Sequence, residues 1–95
     1  MDERIELFLA DVLALEGEKP EAIRQGVRTA LTHCEAIYRA QETNRHMKDK
    51  AAQACRSLCR ARVAEEVRRR KGTPTAEHLK LVLGAIEGPR FPPGT

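Results

Sequence analysis

Ninety-five residues at 41% hydrophobic content fit one packed domain and are too apolar for a disordered chain. Aromatic residues make up only 3%, so the core must be Leu, Ile, Val, Ala and Cys, a palette that suits helices better than sheets. The net charge of +3 hides a division: residues 2–18 carry six acids and one base, and residues 44–72 ten bases and three acids. Such segments can neutralise each other within a fold or across a dimer, so the basic balance alone assigns no nucleic acid.

An acidic flank and the lack of a small-residue cleavage site argue against a secretory signal at the N-terminus. No apolar run approaches the length that spans a bilayer. Three cysteines form an odd set without a disulfide framework, which fits a reduced, cytoplasmic compartment.

The first helix is expected over 2–16. Asp2 can cap it, and Glu3 and Glu6 favour the positive end of the helix dipole. Ile5, Phe8, Leu9, Val12 and Leu13 form its apolar stripe. Leu7, Ala10 and Ala14 make a narrower strip on the other side, which is either ordinary surface or a contact with a second subunit. Gly17 stops the helix.

Pro20 opens a second helix over 20–42, since proline at the first helical position loses no hydrogen bond. Ile23, Val27, Ala30, Leu31, Cys34, Ile37, Tyr38 and Gln41 share one face, the cleanest periodic signal in the chain. Beside it Ala22, Gly26, Thr29, Ala36 and Ala40 form a small-residue strip, interrupted by His33, that another helix can approach closely. Residues 42–46 hold no Gly or Pro. A break is nonetheless expected there, with Thr43 or Asn44 as cap, because it lets two stripes fold together as an antiparallel hairpin. One continuous helix is the alternative.

The third helix, over 45–71, shows two apolar patches. Met47, Ala51, Ala54, Cys55 and Leu58 face one way, and Cys59, Val63 and Val67 face a direction rotated by well over a quarter turn. The expectation is a central strut with a different neighbour for each half. Glu65 with Arg69 and Glu66 with Arg70 read as exposed pairs four residues apart. Gly72 is placed to end the helix. Thr73-Pro74 or Thr75 starts a fourth helix over 75–87, with Leu79, Val82, Leu83 and Ile86 inward. The domain is expected to close at residue 88. Residues 89–95 read as a proline-rich flexible tail whose Pro89-Arg90-Phe91-Pro92 satisfies a loose P-x-x-P pattern.

The segment 58–86, above all Thr73-Pro74-Thr75-Ala76-Glu77-His78-Leu79, resembles the long-helix, short-loop, short-helix half of histone-fold proteins. It also resembles small helical C-terminal modules of bacterial reductase subunits. The likeness rests on a capping pattern, and no functional residue is carried across.

Cys55 and Cys59 share a helix face, and Cys34 would meet Cys55 in an antiparallel hairpin. Zinc wants four ligands, and the spacing fits no standard zinc pattern, so these thiols are expected to be core. Arg45, Lys48, Arg56, Arg60, Arg68, Arg69, Arg70 and Lys71 are candidate phosphate contacts. The expectation is nonetheless a solvated face complemented by the acidic first helix, with phosphate binding as the alternative. Aromatic stacking platforms are missing, and the fourth helix offers few polar groups for reading DNA. His78 is expected on the surface. No Ser/His/Asp set, phosphate loop or carboxylate pair can be assembled. The sequence therefore points to an all-α, four-helix, non-enzymatic interaction or regulatory protein without cofactor or metal. It is expected to self-associate as a homodimer or bind a protein partner through Leu7, Ala10, Ala14, Ala22, Gly26, Thr29, Ala36 and Ala40. A nucleic-acid accessory role is the alternative.

Overall fold

In the computed structural model, Asp2 is extended and its side chain accepts a bond from the Arg4 amide at 3.0 Å, which starts α1 (Glu3–Leu13). The structure describes residues 2–87, so the expected domain end at 88 and the tail with its P-x-x-P pattern lie outside the described residues. α1 buries Ile5, Phe8, Leu9 and Val12. It ends at Leu13, short of the expected residue 16. There the chain tightens into turns in which the Leu15 amide bonds the Val12 carbonyl and the Glu16 amide the Leu13 carbonyl. These turns carry Leu15 back onto α2, and Gly17 takes the left-handed conformation, φ +93°, that glycine accepts without steric cost.

α2 (Pro20–Gln41) has proline in its first turn and buries Ile23, Val27, Leu31, Cys34 and Tyr38. The expected break follows. Asn44 accepts from the His46 amide, a 3-10 turn spans Arg45–Met47, and α3 (Lys48–Arg69) runs back along α2. Contacts from Arg39 to Asp49 and from Glu35 to Arg56 fix the antiparallel sense. Gly72, at φ +86°, turns the chain out of α3. Thr73 then accepts from the Ala76 amide at 3.2 Å and starts α4 (Pro74–Glu87).

The architecture is the expected all-helical four-helix domain, with the long α2 and α3 packed together and α1 and α4 shorter. Every helix touches every other, and one continuous core draws on all four. No helix among the described residues is long and apolar enough to cross a membrane.

Three expectations need correction. α3 does not carry two rotated apolar faces. Its buried residues are Ala52, Cys55, Cys59, Val63 and Glu66, a single stripe stepping by three or four. The separate direction expected of the first half rests on Met47, Ala54 and Leu58, which are exposed. Isolated apolar side chains on a helix surface are ordinary and set no packing direction. Glu66 is not an exposed partner of Arg70, because it occupies the last buried position of that stripe at 2% exposure. His78 is not on the surface either: it is buried, and its Nε2 lies 2.8 Å from the Val12 carbonyl oxygen of α1. Nε2 donates in that pair, because a carbonyl oxygen can only accept.

Candidate functional site

Three groups of side chains carry chemistry in this fold. The first is a cluster of thiols at the centre of the hairpin. Cys34 comes from α2, and Cys55 and Cys59 from successive turns of α3. Antiparallel packing brings the sulfurs together, with Cys55 Sγ 3.1 Å from Cys34 Sγ and all three Sγ atoms within 4.8 Å of one another. All three are buried and none is in a disulfide. Cys34 also lies 3.8 Å from the Arg4 carbonyl oxygen of α1. Burial away from water raises the Cys55 thiol to about 12 and pushes Cys59 up as well, because the thiolate loses its hydration there. As they stand Cys55 and Cys59 are neutral thiols, not nucleophiles. The meeting of Cys34 with Cys55 follows the hairpin expectation.

The second group is ionic and ties α1 to the hairpin. Arg62 donates to Glu6 on α1 at 2.7 Å and to Glu66 at 2.7 Å, and Glu66 also accepts from Arg70 at 2.8 Å and from Arg69. Hydrogen bonds from Arg70 and Arg62 outweigh the burial of Glu66 and hold its carboxyl at about 2. At the N-cap of α1, one turn before Glu6, Tyr38 donates its hydroxyl to Asp2, and the Arg4 guanidinium lies 3.7 Å over the Tyr38 ring. The bond from Arg4, then that from Tyr38, keeps the Asp2 carboxyl well below the ordinary range. Sequence reasoning missed Arg62 and the buried state of Glu66. The available signal was spacing: Arg62 stands one turn before a glutamate that falls on the cysteine stripe.

The third group is the surface. Leu7 and Ala10 on α1 and Ala14 at its C-cap are exposed, with Leu7 at 63%. Ala22, Thr29, Ala36 and Ala40 are exposed on α2, whereas Gly26 is covered from within the chain. A Cβ placed at Gly26 would meet the Leu15 methyls at 2.7 Å, so the missing side chain makes room for Leu15. Leu7 lines a groove of about 200 Å³ between α1 and α2 together with Arg4, Phe8, Asp11, Ala30, His33, Cys34 and Ile37. The small-residue strip of α2 therefore divides. Thr29 and Ala36 line a neighbouring shallow groove with Arg28, Thr32 and His33. A separate groove of about 260 Å³ runs between α2 and α4, rimmed by Arg24, Arg28 and Lys80 with Leu81 at its lip.

The candidate phosphate contacts are mostly engaged inside the fold. Lys48 donates its ammonium to the carbonyl oxygens of Arg39 at 2.7 Å and Glu42 at 2.9 Å, closing the C-terminus of α2. Arg56 pairs with Glu35, Arg60 with Glu87, and Arg69 and Arg70 with Glu66. Arg45, Arg68 and Lys71 are exposed and form no ion pair among the described residues. No known protein family matches the chain, no curated protein or solved structure matches it significantly, and the likeness of 58–86 to half a histone fold has no matched relative behind it.

Proposed function

We propose that this protein is a small, non-enzymatic interaction module that self-associates through the exposed side of α1. The observation that carries this reading is the α1 face made by Arg4, Leu7, Asp11 and Ala14, residues spaced three, four and three apart, with Leu7 63% exposed over the groove to α2.

That face is complementary to itself. A two-fold axis close to Leu7 packs Leu7 against its counterpart and sets Arg4 of each copy beside Asp11 of the other. Ala10 and Ala14 add little bulk, so two α1 helices can approach closely. Arg4 retains donors beyond those it gives Asp2 and Gln41, because a guanidinium carries five. Asp11 is exposed and has no ion pair among the described residues. The reduced thiols of the core suit a cytoplasmic setting.

Sedimentation at tens of micromolar tests the reading. The expected mass is that of two chains, and Leu7→Glu is expected to give one chain with unchanged helix content. A one-chain mass for the unaltered protein sinks the proposal. The nucleic-acid alternative rests on fewer free charges, since Lys48, Arg56, Arg60, Arg69 and Arg70 are engaged within the fold. Tight, steeply salt-dependent binding to duplex DNA by the Leu7→Glu chain would favour that alternative.

A further inference from the structure

We propose that Cys34, Cys55 and Cys59 form a three-thiol site for a trivalent group-15 centre, the chemistry offered by arsenous acid. The three sulfurs already converge, each within 4.8 Å of the others. Three sulfurs bonded to one atom at a length close to the ~2.3 Å of a zinc thiolate lie at most about 4 Å apart, so side-chain rotation of well under a turn closes the site. Two of the ligands stand four apart on α3 and the third comes from α2, so the hairpin fixes the set.

Charge selects the ligand class. The site is buried, with Cys55 and Cys59 at 0% exposure and Cys34 at 3%. The neighbouring charges are already matched, Arg4 by Asp2 and Arg56 by Glu35. An uncompensated charge left in such a place is costly. Zinc on three thiolates carries a net negative charge and still wants a fourth ligand, while the cluster among the described residues has three members. A monovalent soft cation on three thiolates leaves two negative charges. A trivalent centre on three thiolates is neutral and three-coordinate.

The loading step balances. Three S–H bonds and three As–OH bonds break, three S–As bonds form, and each thiol proton leaves on a hydroxyl as water. Three waters depart, no oxidation state changes, and no net proton is released. Entry is through the α1/α2 groove of about 200 Å³, where Cys34 forms part of the wall. Leu7 lines the same groove, so a self-associated chain loads more slowly than a monomeric one, and the site itself does not depend on self-association.

Mass spectrometry of the intact, reduced chain incubated with arsenite reads the stoichiometry directly. The expected product gains one arsenic and loses three hydrogens, and its Tm rises because the folded hairpin holds the three thiols together and so binds the ligand more tightly than the unfolded chain does. Cys34→Ala, Cys55→Ala and Cys59→Ala are each expected to weaken arsenite binding by more than about a hundredfold, beyond what the loss of an outer-shell partner costs a metal site. A product lacking only two hydrogens, undiminished binding by Cys34→Ala, or displacement of arsenite by equimolar zinc or copper(I) overturns the proposal. Where an alanine chain fails to fold, the hydrogen count on the unaltered chain decides, because three lost hydrogens require three thiols.

Discussion

Glu66 holds a position in the α3 stripe where an aliphatic side chain would pack without cost. It is tolerated because Arg62, Arg69 and Arg70 surround its carboxylate. Removing one member of such a network strands the others, which costs more than the net worth of the pair. The folded carboxyl titrates at about 2, against an ordinary 4.5, so its contribution is complete above about pH 4.5 and is lost as pH falls toward 2. Arg69 and Arg70 are 66% and 43% exposed, so screening reduces the worth of that displacement to about 2 kcal/mol. Glu66→Gln is therefore expected to lower stability by about 2 kcal/mol at pH 7. In urea melts the gap to the unaltered chain should shrink as pH falls from about 4.5 to about 2 and close only below that, where both side chains are neutral; a gap that persists there is wrong for this mechanism. At this scale the sequence was least legible. Glu66 and Arg70 could be read as a pair from their spacing, but the depth of Glu66 depends on which side of α3 faces α1 and α4. His78 was misplaced for the same reason. A polar side chain beside a stripe reads as surface unless its partner is known, and here the partner is the Val12 carbonyl, distant in sequence.

Lys48 shows how an element is closed by a residue that local reading assigns elsewhere. The α2 stripe extrapolates into α3, and neither Gly nor Pro lies between them, so one long helix was a real alternative. The break occurs because folding back buries both stripes against each other. The ammonium of Lys48 then bonds the Glu42 carbonyl oxygen just past the end of α2, and gives the Arg39 carbonyl a second donor beside the Glu42 amide. Lys48→Met retains the apolar stem and removes those bonds. It is expected to cost about 1 kcal/mol, with faster amide hydrogen exchange confined to residues 42–47. Unchanged exchange there would mean that water replaces the ammonium without loss. The helices themselves were legible because their boundaries rest on local chemistry: Asp2, Pro20, Asn44, Gly72 and Thr73 all act at or beside a helix end. The direction of the α3 face was not legible. Met47, Ala54 and Leu58 are as apolar as the buried set, and only the continuity of Ala52, Cys55, Cys59 and Val63 separates them.

A chain of this size buries a modest share of its surface, so association adds a meaningful fraction of its stability. Such a gain makes Tm depend on concentration, because mass action favours the folded dimer over unfolded monomers. The proposed interface is peripheral to the core: Leu7 is 63% exposed, whereas the α1 residues that hold the domain together are Ile5, Phe8, Leu9 and Val12. The two roles therefore separate in one experiment. The unaltered chain is expected to show a Tm that climbs over a hundredfold range of concentration. Leu7→Glu should melt at a Tm independent of concentration, close to that of the unaltered chain at high dilution, since it removes a contact between copies and only a minor part of the packing within one. Asp11→Arg sets like charges beside each other across the two-fold, so it should flatten the concentration dependence in low salt, and added salt should partly restore it by screening the repulsion. A Leu7→Glu chain that melts well below the diluted unaltered protein would place Leu7 in the fold instead, and the exposed side of α1 would then need another occupant to account for it.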